Sequence, residues 1–540
     1  DVCSSDLFNK LITQEEGVGL LMKFHSSLCV LEGLADARGR YPKPIYAYGR
    51  KLLTPKDKVW FDDKIEAMIL DYSRDYAGCR VDVAKTLDDL HSLGFARSKY
   101  NYEPMEEAIQ RFEQRNHSYN AKKKYVKRAI GKMKKEFSAV RLEILEYHSI
   151  DDLLKYLPKA EAHPGWSGLI LGIYSKKELI EREGFGKWLE ELNNALEIGS
   201  FNKPIVLGYR TQAGSPFDEF NNVKSEFKEK VRLINIVDIW QVMAELMFAK
   251  AVQRFMSKQR WYAGGKDDET LLIQINDAKR RYNFSVTTDY SSFDQTISDW
   301  LIHEAFDIIQ AGFQFDNPQH EQLFRIVRED FIHKVIFDAN LRMREIHKGV
   351  PSGSMFTQII DSIVNRIMID SFMMQQGIDN YECIIMGDDN IIFTMNQIDE
   401  DVMAKYLSSN FGVIVNSDKM DAAVLYEGEE PEFLSRVWTV NGVYRNPFEL
   451  LARMCYPERR RNYKNKLMKP EYIIYSYILS FPLGMRELIN VDKFKQRFQP
   501  KKFTNMSKDE LAVIVKELPG SIAYQLKYAE IGRASCRERV

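Results

Sequence analysis

The sequence predicts a helix-rich α+β fold, and three observations carry that expectation. The first and last thirds place apolar residues at i, i+3 and i+4 between charged stretches, the spacing of amphipathic helices. The middle third holds short β-favouring runs instead: Phe284-Ser-Val-Thr-Thr288, Cys383-Ile-Ile-Met386 and Asn390-Ile-Ile-Phe393. The last two flank Gly387-Asp388-Asp389, which reads as a hairpin with its turn at the acids. No period of roughly 20–50 residues repeats, and no Gly/Ser- or Pro-rich linker divides the chain, so one interlocked body is expected.

In chain order, the first helical third contains the most basic segment, Ala121–Lys135. Read as a helix, it turns Tyr125, Ile130 and Met133 inward and its cations outward. Those cations suit either a solvated face or phosphate contact. Phe284–Thr288 carries the chain to Asp289. Asp294 then opens an amphipathic helix with Ile297, Trp300, Leu301, Ala305, Ile308 and Ile309 at helical spacing. Gly349, Pro351 and Gly353 mark a mobile or tightly turned loop, followed by a helix from Thr357. After Trp438 the chain returns to helix-like sequence, with a second basic stretch at Arg459, Arg460, Arg461, Lys464 and Lys466.

Composition bounds the function. The 540 residues carry 76 Lys+Arg against 77 Asp+Glu, a net charge of −1, with 28% charged and 45% hydrophobic residues. This balance excludes a disordered tail, a collagen-like fibre and a small disulfide scaffold. The longest apolar run, Trp166–Tyr174, is far too short to span a membrane. Near-neutral charge argues against a surface coated for nucleic acid but allows a basic interior channel. Asp1–Leu7 and Ile531–Val540 resemble translated sequencing adapters; they are expected to be foreign, and the natural protein to extend beyond one or both ends. Setting them aside leaves Cys29, Cys79, Cys383 and Cys455, scattered without a C-x-x-C. That pattern reads as structural thiols in a reducing compartment rather than zinc ligands or disulfides.

Three carboxylates carry the candidate chemistry: Asp289, Asp388 and Asp389, each delivered to a turn by hydrophobic β-like sequence. Singly, each could be an ordinary turn cap. Gathered at strand ends they repel one another unless a cation lies between them, and oxygen-only ligation suits Mg²⁺ or Mn²⁺. Two such ions about 4 Å apart stabilise the attacking and leaving oxygens of an in-line phosphoryl displacement. On the helix after the Gly/Pro loop, Thr357, Asp361 and Asn365 fall at i, i+4 and i+8, a row of short polar side chains on one face. Such a row can read a ribose 2′-OH, which both donates and accepts; a solvated helix face has the same pattern.

Asp289-Tyr-Ser-Ser-Phe-Asp294, then Pro351-Ser-Gly-Ser-Met-Phe-Thr357, then Met386-Gly-Asp-Asp-Asn390, in that order, resemble motifs A, B and C of viral RNA-dependent RNA polymerases. The second motif is most similar to partitivirus and picobirnavirus-like enzymes of double-stranded RNA viruses. The resemblance implies a right-hand fold of fingers, palm and thumb with an antiparallel palm sheet. It implies an N-terminal extension and fingers at 8–280 and 311–348, palm at 281–310 and 349–438, and thumb at 439–530. It further implies Asp289 and Asp388 as main ligands of two Mg²⁺ or Mn²⁺ ions, with Asp389 supporting. Asp294 would face the incoming ribose, with Ser352, Gly353, Thr357 and either Asp361 or Asn365 shaping that pocket.

Arg210, Lys230 and Arg232 resemble motif F, whose cations clamp the triphosphate; surface charge is the competing explanation. Lys419 ends a segment like motif D and would protonate the leaving pyrophosphate as a general acid, where an ordinary turn lysine competes. Glu432–Trp438 resembles motif E, with Phe433 and Trp438 expected to pack. The implied partners are template and nascent RNA, NTPs and a viral capsid protein, with no membrane, for a monomer in the host cytoplasm or virion interior. A reverse transcriptase and a non-catalytic RNA-binding protein of the same fold are the rival expectations. An NTPase or helicase lacks its G-x-x-x-x-G-K-[ST] loop.

Overall fold

The computed structural model describes residues 60–97, 103–114, 124–338, 342–458, 460–464 and 468–498, together with 514 and 518. Its strands are β1 (Ile205–Ala213), β2 (Glu229–Ile236), β3 (Phe284–Val286), β4 (Tyr290–Ser291), β5 (Lys334–Phe337), β6 (Met343–Ile346), β7 (Tyr381–Met386), β8 (Asp389–Thr394), β9 (Ile414–Val415), β10 (Ala422–Val424), β11 (Glu432–Phe433), β12 (Arg436–Thr439) and β13 (Gly442–Tyr444). They form sheets ordered β2-β1-β5-β6, β10-β3-β8-β7, β11-β12-β13 and β4-β9. The second of these is antiparallel throughout, whereas β1 and β5 run parallel in the first.

The antiparallel sheet β10-β3-β8-β7 is covered on both faces, which explains why β7 and β8 carry the apolar runs Cys383–Met386 and Ile391–Phe393 rather than an alternating pattern. Cys383, Ile385 and Ile392 enter one core with Ile360, Ile363 and Ile367. Ile384, Ile391 and Phe393 enter the other with Leu271, Ile275 and Trp438. Each fully buried aliphatic side chain contributes about 1.5–3 kcal/mol of transfer free energy, so both faces hold the sheet in place.

The helix Thr357–Gln376 backs this sheet and is buried nearly all round, from Ile359 to Met373. Its polar side chains at Asp361, Ser362, Asn365, Arg366 and Asp370 are therefore enclosed as well. The helix ends at Gly377 in the left-handed conformation. After Asp289 and β4, the sequence makes a short helix, Phe293–Thr296, and then breaks at Ile297-Ser298 before the helix Asp299–Gln310. The expected single helix from Asp294 is thus two pieces. Leu301, Ala305, Ile308 and Ile309 are buried, and Trp300 is half-buried.

The basic segment is helical over Lys124–Ser138 and buries Val126, Ala129, Ile130, Met133 and Phe137. Ile130 and Met133 face inward as expected, whereas Tyr125 is only half-buried and Val126 beside it is buried instead. Lys132 on its open face pairs with the enclosed Asp370 at 3.0 Å. In the second basic stretch, Arg461 is buried against Asp62 at 2.6 Å and is no surface cation. Arg459 and Lys466 lie outside the described residues, as do Cys29 and the two terminal tails. Cys79, Cys383 and Cys455 are free thiols, the last two buried. Among the described residues no helix is long and apolar enough to cross a membrane.

Candidate active site

Sheet register brings the three acids to one edge. The hairpin β7–β8 pairs Met386 with Asp389, leaving Gly387 and Asp388 as a two-residue turn. Gly387 has φ +67°, a conformation that such turns require and that glycine supplies without steric cost. β3 lies antiparallel to β8 with Val286 opposite Ile392, and the chain leaving β3 carries Asp289 close enough for its charge to act on Asp388 and Asp389. Pairing of Tyr290 with Val415 then carries the chain to the short turn Ser417–Lys419. There Lys419 Nζ stands 3.9 Å from Asp289 Oδ2.

The electrostatics are those of crowded anions. Asp388 and Asp389 stay open at their tips, yet the surrounding protein excludes much of their water. Burial raises the Asp388 carboxyl above the ordinary range, with the Asp289 charge adding to it and the Arg232 charge opposing. Burial and the Asp388 charge push Asp389 up to about 7. Behind them lies a second acid pair. Burial raises Asp294, as does Asp388, while a hydrogen bond from Asp361 and the Arg232 charge pull it back. Asp361 is enclosed and is driven well upward by burial first, then by Asp294 and Asp388. Burial and neighbouring like charge thus push both carboxyls of this pair upward. Asp361 Oδ1 has no hydrogen-bond partner among the described residues.

Asn365, like Asp361 one turn before it, is buried. Its Nδ2 donates to the carbonyls of Gly387 and Asp388 at 3.0 and 2.9 Å, and its Oδ1 accepts from the Tyr290 hydroxyl at 3.2 Å. Ser362, one turn earlier, accepts from the Gly387 N–H at 2.8 Å. Helix Thr357–Gln376 therefore fixes the acid-bearing turn by its main chain. Asn390 extends the brace, donating to Thr288 and Asn365.

The loop before this helix is fastened to β2. Ser352 Oγ accepts from Asn235 N at 3.1 Å and donates to Leu233 O at 3.3 Å. A Cβ at Gly353 would come within 1.8 Å of the Asn235 carbonyl oxygen, so only glycine permits this approach. Thr357 Oγ1 lies 2.7 Å from Pro351 O and 2.9 Å from Ser354 O, closing the loop on itself. Gly353→Ala is expected to lower unfolding stability by about 1–3 kcal/mol, the usual cost of overpacking, as read from denaturant titration. An unchanged midpoint would show that the loop does not need this contact.

Arg232 is exposed on β2, close enough for its charge to act on Asp294, Asp388 and Asp389. Backbone register sets Arg210 opposite Arg232 and Lys230 opposite Gln212; the side chains of Arg210 and Lys230 lie outside the described residues. Phe433 and Trp438 are buried, with Trp438 Nε1 donating to Phe433 O at 2.9 Å.

Sequence reasoning overlooked Glu245. It is fully buried in the helix Ile239–Met256, accepting from Ser354 Oγ at 2.7 Å and Met355 N at 2.8 Å through Oε2, and from Gln241 Nε2 at 3.2 Å through Oε1. Burial pushes its carboxyl up to about 7 against the lowering effect of those bonds. The available signal was a lone carboxylate within Ile239–Ala249, a segment otherwise almost wholly apolar. Ser362 and Asn390 carried no comparable signal.

The oxygen-only donor set of Asp289, Asp388 and Asp389 fits Mg²⁺ or Mn²⁺, and the upward push on Asp388 and Asp389 is what a bound cation relieves. Residues 74–458, more than half of the chain, match the sequence model of a family described as viral RNA-dependent RNA polymerase. The RNA-directed RNA polymerase of Atkinsonella hypoxylon virus (isolate 2H) is 35% identical over 126 residues, 22% of this chain and 19% of that protein. The RNA-directed RNA polymerase of Cryptosporidium parvum virus 1 is 28% identical over 222 residues, 37% of this chain and 41% of that protein. The matched stretches thus span less than half of either relative. The fold is similar to that of the RNA-dependent RNA polymerase of a human picobirnavirus, with a TM-score of 0.59 and 13% identity over 90% of this chain and 88% of that one.

Proposed function

The chain belongs to the viral RNA-dependent RNA polymerase family, and from that membership we propose that it synthesises RNA on an RNA template from NTPs. The observation that carries this reading is the gathering of Asp289, Asp388 and Asp389 at one sheet edge, beside the Asp294–Asp361 pair and the Arg232 cation. Asp289 and Asp388 would hold two divalent ions, with Asp389 supporting; bound there, the ions supply Lewis-acid stabilisation of the charge that develops on the phosphate. In this reading residues 281–310 and 349–438 are palm, 8–280 and 311–348 the N-terminal extension and fingers, and 439–530 thumb. Template and product RNA and a capsid protein are the proposed partners, inside the host cell or virion.

The chain's own groups then have separable tasks. Arg232 neutralises the triphosphate near the acids, a task Arg210 and Lys230 on the neighbouring register positions would share. Lys419, 3.9 Å from Asp289, would give a proton to the departing pyrophosphate. Ser352, Gly353 and Thr357 hold the loop that walls the pocket. Asp361 keeps Asp294 in place by its hydrogen bond, and its partnerless Oδ1 is an acceptor suited to a ribose 2′-OH.

The test is template-dependent incorporation by the full chain with Mg²⁺ or Mn²⁺, run with NTPs and with dNTPs. Incorporation of NTPs is expected; preference for dNTPs would favour a reverse transcriptase, and no synthesis on any template a non-catalytic binder. Asp361→Asn retains both a donor toward Asp294 and an acceptor, so NTP preference should persist. Asp361→Ala removes both and should lower the NTP-over-dNTP ratio of kcat/KM by about ten- to a hundredfold, the worth of one buried hydrogen bond.

A further inference from the structure

We propose that His303, Glu329 and His333 form a binding site for a divalent transition-metal ion, zinc by donor chemistry, separate from the three strand-end acids. One ligand atom from each of these half-buried residues lies within 4.8 Å of the others. His303 comes from the helix Asp299–Gln310, Glu329 from the helix Pro318–Ile332, and His333 caps that second helix immediately before β5. Glu329 and His333 are i and i+4, one above the other on the same helix face, and His333 Nε2 stands 3.7 Å from Glu329 Oε2. The rings of His303 and His333 are 6.3 Å apart between centroids.

Two imidazoles and a carboxylate make a mixed nitrogen and oxygen donor set that suits zinc, in contrast to the all-oxygen set of the acids. The surroundings also orient the donors. His333 Nδ1 lies 3.2 Å from His347 Nδ1. With the proton on His333 Nδ1, that contact is a hydrogen bond and Nε2 presents its lone pair toward Glu329, the tautomer that ligation needs. Glu329 Oε1 accepts from Arg328 Nε at 3.1 Å, while Oε2 is the atom facing His333. Donors around a tetrahedral zinc ion with bonds of about 2.0–2.1 Å stand about 3.4 Å apart, so binding would draw the three partly exposed side chains slightly together. The ion would then tie the helix that follows Asp294 to β5, whose neighbour β1 pairs with the strand carrying Arg232.

The full chain, treated with chelator and titrated with ZnCl₂ by calorimetry, is expected to bind about one equivalent tightly and to gain thermal stability from it. His303→Ala and His333→Ala should each weaken binding by at least about tenfold and abolish the gain in Tm, while their metal-free Tm stays near that of the parent. Co²⁺ should show visible absorption that disappears in the same variants. Glu329→Gln probes the same ion should either histidine variant fail to fold. Absence of zinc binding overturns the proposal. So does binding that survives His333→Ala but falls in Asp388→Asn, which would put the ion at the acids. Because the readouts are binding and stability, they are independent of whether the chain synthesises RNA.

Discussion

Replacing Asp388 with Asn is expected to reduce RNA synthesis on the order of a thousandfold or more while leaving RNA binding and the fold intact. Asp388 sits in the two-residue turn between β7 and β8, open at its tip, so the neutral isostere disturbs no packing. What it removes is half of the paired charge that would hold the two ions, and ion-supplied charge stabilisation amounts to several kcal/mol at about 1.4 kcal/mol per decade of rate. The turn is held by Asn365 and Ser362 through main-chain groups, so its geometry survives the change at the side chain. The measurement is primer extension beside a filter-binding or fluorescence assay of RNA affinity. Synthesis within tenfold of the parent would remove Asp388 from the catalytic machinery. Loss of RNA binding along with synthesis would point to a structural role instead.

Glu245→Ala is expected to cost about 3–4 kcal/mol of stability, the largest such effect proposed for this chain. The change opens a cavity and strands Ser354 Oγ, Met355 N and Gln241 Nε2, each buried donor losing its acceptor. Glu245→Gln keeps one oxygen for Ser354 and Met355 and should cost far less. The two variants also carry a pH signature. Burial lifts the folded-state carboxyl of Glu245 from the ordinary glutamate range up to about 7. Between those limits the folded chain retains a proton that the unfolded chain has released. This contribution to stability is complete below the unfolded value and is lost as pH rises through about 7. The parent should therefore lose stability over that window relative to Glu245→Gln, as followed by denaturant midpoints at several pH values. Parallel pH profiles for parent and Glu245→Gln would show that the carboxyl is ionised in the fold at all of them.

The three acids were legible because each sits where a hydrophobic strand-like run ends, at Asp289 and at Gly387-Asp388-Asp389, a local trace in the sequence. The antiparallel hairpin followed from the same trace, since apolar runs around a glycine-containing turn leave little else for the backbone to do. Elements whose meaning is tertiary were harder. The row Thr357, Asp361 and Asn365 was visible as one helix face, but i, i+4 spacing does not say what that face meets. Thr357 closes its own loop, Asp361 pairs with Asp294, and Asn365 turns out to be fully enclosed under the hairpin. Glycine at 353 likewise marked a mobile or tightly turned loop, but nothing local pointed to its cause, a carbonyl of β2 more than a hundred residues away. The break at Ile297-Ser298 escaped notice because the apolar spacing continues smoothly across it.

What the sequence by itself determined was the chemistry on offer: three strand-end carboxylates, a Gly/Pro loop, a polar helix row and flanking cations, in an order that resembles one polymerase family. Periodicity and turn residues suffice for that, because both act between near neighbours in the chain. Only the tertiary structure decided which of those groups lie open at the strand ends and which are enclosed and hold others in position. Pairing of β3 with β8 brings the Asp289 charge to bear on Asp388 and Asp389, and packing on two cores seals Asn365, Glu245 and Arg461 away from solvent. A buried polar group must find its partner across space rather than along the chain, and no local pattern encodes where that partner stands.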